Sequence, residues 1–285
     1  MTLTYHAFAD LETDTPAIDV GAPVVTRRRR TVRVPRPVRR LTGPALLLGV
    51  WALLSGTGEV SKDVLPAPWA VWSAGWHLIQ DGELWHNLSA SLVRVGVGLL
   101  FGIVIGTVLA IIAGSVQLGE DLIDWTVQLF KSVPHVALVP LLIMWFGIGQ
   151  EPRIILIATG VAIAVYVNTY SAIRNVDRDL VEAAKSFGAT RWTLVSQVVL
   201  PGSLPGFLVG LRFALASAWL SLVFAETINT NRGLGYLMSQ AETLLQTDVM
   251  MFTIVTYAVI GLLSYSVVKV LEHRLLRWRT GYEGS

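Results

Sequence analysis

In so apolar a chain the few charged side chains inside apolar runs stand out. Arg212 lies within the run from about 204 to 226, Glu226 closes that run, and Arg94 and Lys131 lie nearer the ends of two others. A charge held inside a bilayer is costly, so such residues mark ion pairs, gates or substrate paths. Two roles suit Arg212 equally: a structural partner paired to a carbonyl or snorkelling inward, or a group beside a path that helps an anion pass. For Arg94, Lys131 and Glu226 the expected role is snorkelling or pairing between helices. His135, next to Pro134, is expected to pack at a helix break, with lining a path as its other role. Arg212, His135 and Arg94 are therefore the candidate path residues.

No catalytic pattern accompanies them. Gripping nucleotide phosphates takes a Gly-rich loop ending in Gly-Lys. The four lysines, Lys62, Lys131, Lys185 and Lys269, never follow a glycine. The five histidines (His6, His77, His86, His135, His273) form no H-E-x-x-H pair, and no G-x-S-x-G elbow is present. No catalytic residue, metal site or cofactor is assigned to this chain. Any energy source, ATP with Mg included, is expected on a partner. An intramembrane enzyme, the remote alternative, would need facing catalytic groups within the spans, and only isolated polar residues are seen.

A different kind of chemistry, contact with another protein, is written into Glu182–Pro201, E-A-A-K-S-F-G-A-T-R-W-T-L-V-S-Q-V-V-L-P. Asp177 or Asp179 can cap a short helix by accepting from free first-turn amides. Leu180, Ala184 and Phe187 then share one face. Gly188 can end that helix in a left-handed conformation. Thr190 can cap a second short helix, expected to be closed by Pro201. Ala183 and Ala184 leave a shallow surface suited to seating in a groove of another protein.

These residues need a membrane frame. The chain has 285 residues, 53% hydrophobic and 15% charged, with mean hydropathy +0.58, against roughly 25% charged in soluble domains. Without cysteine there are no disulfides and no thiolate sites. Residues 1–26 carry Asp10, Glu12, Asp14 and Asp19 and no Lys or Arg; they read as a disordered tail rather than a signal peptide. Eight arginines follow, from Arg27 to Arg40. Nucleic-acid binding is one reading of such a run, but it abuts an apolar segment and reads as a positive-inside anchor.

Spans are expected at about 41–56, 90–113, 122–146, 153–173, 204–226 and 250–271. The first is shorter than the roughly 17–25 residues a bilayer asks for. Between it and the second, Trp69, Trp72, Trp76 and Ile79 form a helical stripe suited to the membrane interface. The second has Gly98, Gly102, Gly106, Ala110 and Gly114 at four-residue intervals, which predicts close packing and a buried central position. Gly206, Gly210, Ala214 and Ala218 repeat the device in the fifth. Pro134 and Pro140 predict a kinked or broken third span. With both termini cytoplasmic, 16 of the 22 Lys and Arg lie inside, including Arg174, Arg178, Lys185 and Arg191, while only Lys62, Arg153 and Arg232 lie outside. Five or seven spans would expose one terminal basic cluster to the wrong side.

The organisation expected is a cytoplasmic tail over 1–40, a first membrane helix and outer amphipathic segment over 41–89, a transmembrane core over 90–279 carrying a cytoplasmic loop at 175–203, and a short tail at 280–285.

The Glu182–Pro201 stretch resembles the EAA loop of ABC-importer permeases through Glu182, Ala183, Ala184, Gly188, Val198, Leu200 and Pro201. The Phe often found in the second half of that loop is replaced around Ser196. From about residue 65 onward the chain is similar to the nitrate/sulfonate/taurine branch. The similarity is carried by Leu65–Pro68, Ser91–Val95, Pro134–Gly149, Tyr166–Thr169, Leu200–Gly206, Gly210–Leu215, Ala225–Asn229, Gly233–Leu237 and Leu276–Arg279.

The resemblance implies an all-α type I (MetI-like) permease fold of about six transmembrane helices in a bacterial inner membrane. It implies a coupling role for Glu182, Ala183, Ala184, Phe187, Gly188, Leu200 and Pro201. The implied partners are membrane lipid, a second permease copy, two cytoplasmic ATPase subunits and an extracytoplasmic binding protein, with no nucleic acid. The implied cargo is a small organic anion, aliphatic sulfonates and taurine first. Nitrate, cyanate, bicarbonate or a pyrimidine vitamin precursor are the alternatives.

Overall fold

A computed structural model describes residues 36–57, 61, 63–228 and 230–278, and every regular element among them is a helix. The acidic tail and most of the arginine run lie outside the described residues. The chain divides into two units, one ending at Leu46 and one beginning at Leu47. Of the first, only residues 36–46 are described; they are helical and open α1 (Arg36–Gly56). The helix thus begins a turn before the first span expected at 41. In the second unit Trp51 donates its indole N–H to the Pro66 carbonyl at 3.0 Å.

Among the described residues nine more helices follow: α2 (Pro68–Gln80), α3 (Glu83–Ser115), α4 (Gln117–Ser132), α5 (His135–Phe146), α6 (Glu151–Arg174), α7 (Arg178–Ser186), α8 (Arg191–Thr227), α9 (Leu234–Thr243) and α10 (Thr247–Leu275). Among the described residues α3, α6, α8 and α10 are long and apolar enough to cross a membrane; the bent pair α4–α5 makes a fifth, and Thr42–Gly56 is a shorter apolar helix. The break between α4 and α5 is 83°, at the position where Pro134 removes a donor and crowds the preceding turn.

Both small-residue rows converge on α6, which is the central helix instead of α3. A Cβ on Gly98 would lie 2.5 Å from Ile157, one on Gly102 2.7 Å from the Ala158 carbonyl, and one on Gly106 2.5 Å from the Ala162 carbonyl. On the other side, a Cβ on Gly206 would lie 2.2 Å from Ala172. Hydrogen side chains let the backbones approach, and in lipid that van der Waals contact is what holds helices together. Two faces of α6 are therefore covered, and its residues Ile157, Val161 and Val165 form the main core with Val95, Ala214, Ala218 and Leu222. By contrast only 6% of the apolar stretch of α10 is buried, leaving Ile254, Val259, Leu262 and Leu263 facing outward.

The three tryptophans of the expected stripe share an exposed face, but Ile79 departs from it and packs against the cluster of Leu78, Leu84, Leu234 and Leu237. Val71, Gly75 and Leu78 of α2 are buried, with Gly75 seated against the Phe252 ring, while Trp69, Trp72 and Trp76 are exposed on the other side.

One expectation fails. Pro201 does not close a second short helix. The chain runs through it as one continuous helix, Arg191–Thr227. Just before it, Val195–Val199 is wound as a π-helix. The wider turn absorbs the residue whose ring would clash with a regular preceding turn.

Candidate functional site

The loop between α6 and α8 is built from local caps. Asp177 accepts from the Asp179 amide at 2.9 Å and starts α7. At its end, the Gly188 amide donates to Lys185 at 2.9 Å and the Ala189 amide to Ala184 at 3.1 Å. That paired arrangement is a Schellman closure, and Gly188 sits at φ +79°, where a side chain is resisted. Thr190 then accepts from the Thr193 amide at 3.2 Å and starts α8. Two helical segments are thus fixed at a set angle by short-range bonds.

What this frame presents is apolar and open. Phe187 is 92% exposed, Trp192 79% and Leu180 58%; Glu182 and Ala183 are exposed beside them, and Ala184 is half-buried. Aromatic surface grouped this way marks an interaction site. Glu182, Ala183, Ala184, Phe187 and Gly188 therefore come together on α7 and its closing turn. Leu200 and Pro201 lie apart, at the stem where α8 continues past its π turn. Trp192 was not singled out from sequence; an aromatic residue two positions past a threonine cap in the same loop was the signal.

A ladder ties the inner stem of this loop to α4. Tyr166, Tyr170 and Arg174, one row of α6, meet a π-helical turn at Glu120–Asp124. Tyr166 donates to Asp124 at 3.0 Å, Tyr170 donates to Glu120 at 2.9 Å, and Arg174 pairs with Glu120 at 3.2 Å. The two tyrosine rings stack with centroids 5.6 Å apart.

The opposite end of the bundle carries a buried clamp. Asn87, Ser91 and Arg94 share one face of α3, and all are buried, as is Glu226 at the end of α8. Three successive amides at the start of α9 are taken up: Gly233 by the Asn87 side-chain Oδ1 at 2.9 Å, Leu234 by the Ser91 hydroxyl at 2.9 Å, and Gly235 by the Glu226 carboxylate at 3.0 Å. Ser91 donates to Glu226 at 2.9 Å, and Arg94 forms an ion pair with the same carboxylate. The same Nη1 also donates to the Arg232 carbonyl, and Nε of Arg94 donates to the Gln150 side chain, each at 2.7 Å. Arg153 adds a bond to the Ala225 carbonyl at 3.3 Å. A Cβ on Gly233 would fall 2.3 Å from the Glu226 carboxyl carbon, so glycine is required there. The pairing expected for Arg94 and Glu226 is thus with each other.

The other two path candidates lie elsewhere. Arg212 is held by Glu272 of α10 at 2.6 and 2.7 Å, with its guanidinium 5.2 Å from the Tyr265 ring centroid. Glu272 belongs to the last turn of α10, so the Arg212 guanidinium reaches toward that end, while Arg212 itself lies near the middle of α8. His135, at the break between α4 and α5, bonds the Ser221 hydroxyl at 2.8 Å and lies against Gly160. Among the described residues no group of three or more His, Cys, Asp or Glu is arranged for a metal.

Comparison with known proteins sets this architecture in context. Residues 102–277 match the family described as "Binding-protein-dependent transport system inner membrane component". The putative aliphatic sulfonates transport permease protein SsuC of Escherichia coli is 44% identical over 239 residues, covering 84% of this chain and 91% of that protein. Its Bacillus subtilis counterpart is 39% identical, covering 85% and 87%. The E. coli taurine transport system permease protein TauC is 34% identical, covering 82% and 87%. The fold matches a bacterial ABC transporter involved in alginate import with TM-score 0.58 at 16% identity, covering 84% of this chain and 99% of that one. It also matches the MetNI methionine ABC transporter with TM-score 0.56 at 21% identity, covering 70% and 96%. The chain belongs to the inner-membrane components of binding-protein-dependent transport systems, and is a multi-pass permease subunit of an ABC importer that works with an ATPase and a binding protein.

Proposed function

We propose that this permease carries small organic anions into the cell, aliphatic sulfonates including taurine first, as a homodimer with two cytoplasmic ATPase subunits and an extracytoplasmic binding protein. ATP and Mg are held by the ATPases, and this chain binds no cofactor. Both termini and the α7 loop face the cytoplasm, as the distribution of Lys and Arg supports. The observation that carries the coupling role is α7 itself: a capped helix with Phe187 at 92% exposure and Trp192 at 79%. Closure of the ATPase pair pushes on that face, and the bundle rocks between inward- and outward-open states. Force is passed on because the loop is fixed to its stems, and a motor shifts an equilibrium only through different contacts in its two states.

Reconstitution with the cognate ATPase and binding protein tests the cargo. ATP-dependent uptake of labelled ethanesulfonate or taurine is expected to exceed that of nitrate. Nitrate or bicarbonate uptake with no sulfonate uptake would reassign the cargo, and a complex holding one copy of this chain would remove the homodimer.

Arg212 and His135 border the pathway in this reading, with Glu272 as the counter-ion that an anionic cargo displaces from Arg212. Arg212→Ala is expected to lower uptake per assembled complex about tenfold, the scale of one charge-assisted bond. Arg212→Lys, which keeps the charge, is expected to recover part of it. Unchanged uptake by both variants takes Arg212 off the path.

A further inference from the structure

A cationic cavity lies beside the coupling helix. It has a volume of about 350 Å³ and lies between α7 and the ends of α3 and α6, floored by Gly114 and Ile173. Arg174, Arg178 and Lys185 line it against a single carboxylate, Glu182. Arg174 is shared with Glu120 at 3.2 Å. Arg178 and Lys185 have no acidic partner among the described residues. Their positions follow from helix geometry: Arg178, Val181, Glu182 and Lys185 recur at three- and four-residue steps, so they share a face. Their side chains border the cavity from its open side, opposite Gly114 and Ile173, and Phe187 is 92% exposed.

Two unpaired cations and a third that is only partly paired, converging on an open cavity, call for an anion. The cavity sits where helices α3 and α6 end, and the ends of membrane-spanning helices lie near the headgroups. Basic pockets between span ends on the cytoplasmic side hold anionic headgroups. A phosphate offers several strong acceptor oxygens to guanidinium and ammonium donors at once.

We propose that this cavity binds a phosphate group, supplied by an anionic phospholipid of the inner leaflet. The phosphate bridges Arg178 and Lys185 of α7 to Arg174 of α6. It thereby braces the coupling helix against the bundle, a consequence that rests on the coupling role proposed above. Binding itself does not rest on it.

The test uses the full-length permease in complex with its ATPase, reconstituted in vesicles of phosphatidylcholine and phosphatidylglycerol in equal parts. The complex is re-extracted, and retained phosphatidylglycerol is measured by mass spectrometry. In a parallel arm without anionic lipid, inorganic phosphate is titrated, and protection of Lys185 from an amine-reactive reagent is followed. Retention of phosphatidylglycerol is expected. In the Arg178→Gln, Lys185→Gln double variant affinity falls roughly 25-fold, at about fivefold for each cation removed near an anionic surface. Protection by inorganic phosphate without lipid retention keeps the site and makes its source a free anion. Equal retention by parent and double variant, or neither retention nor protection in the parent, overturns the proposal. A chain that retains lipid but fails to couple contradicts the role of α7 alone, so the two readings fail separately.

Discussion

Glu226→Ala is expected to destabilise the solubilised permease by about 3–5 kcal/mol, the cost of removing one partner of a buried ion pair. Glu226 is fully buried, and Arg94 is 3% exposed. Removing the carboxylate leaves the guanidinium in place, still tethered to Gln150 and the Arg232 carbonyl, but with its charge unmatched. Ser91 loses its acceptor, and the Gly235 amide loses its cap. Net stabilities of folded proteins are about 5–15 kcal/mol, so a loss of this size is a large share of the total. Thermal unfolding followed by fluorescence-detected size exclusion measures it. Arg94→Met should be similarly damaging, because it strands the carboxylate. The double variant Arg94→Met, Glu226→Met should recover part of the loss, since a buried pair replaced by apolar groups of like volume is often nearly neutral. If each single variant unfolds with the parent, the ion pair is not what holds the start of α9.

The ease with which each part could be read from sequence follows the range of the forces that make it. The caps of the α7 loop are short-range, so Asp177, Gly188 and Thr190 announce them and the structure places each as expected. The α4–α5 break is legible because Pro134 lacks a donor, although its 83° angle depends on packing against α6 and α8. The small-residue rows show that α3 and α8 pack closely. They do not say against which helix, because an apolar face turned to lipid and one turned to protein look alike in sequence. The row on α3 thus reads as close packing and burial, and that both rows meet on α6 emerges only from the structure.

The clamp is the opposite case. Ser91 and Glu226 are 135 residues apart, and Arg94 and Glu226 are 132 apart; no periodicity connects them. Three stretches that carry the family resemblance meet in one site, through Ser91 and Arg94 of the first, Glu226 of the second, and the amides of Gly233, Leu234 and Gly235 of the third. Pro201 misleads because a proline in a regular helix interior is a stop signal, and the π turn that admits it leaves no residue pattern of its own.

Gly188→Asp and Glu182→Lys are expected to leave the permease in the membrane and separate uptake from hydrolysis. A Cβ at Gly188 meets nothing within 4 Å, so the obstacle is the φ of +79° alone. Holding a side chain there costs roughly 1–2 kcal/mol. The strain falls on the closure of α7 and leaves the spans untouched, since none of α7 is buried. Relief of that strain re-aims Phe187, the most exposed aromatic side chain of the loop. Glu182→Lys reverses charge on the helix without breaking any bond of its side chain, because Glu182 makes none among the described residues. Either change should lower the ratio of uptake to ATP hydrolysis roughly tenfold, within the range of coupling free energies of about 1–3 kcal/mol. The amount of permease in the membrane fraction should stay that of the parent. Gly188→Asn separates conformation from charge, because asparagine tolerates the left-handed region and adds no charge; it should keep more of the coupling than Gly188→Asp. Parental uptake by Gly188→Asp and Glu182→Lys in the presence of the ATPase would mean that α7 is a connection between spans and not the point where the motor pushes.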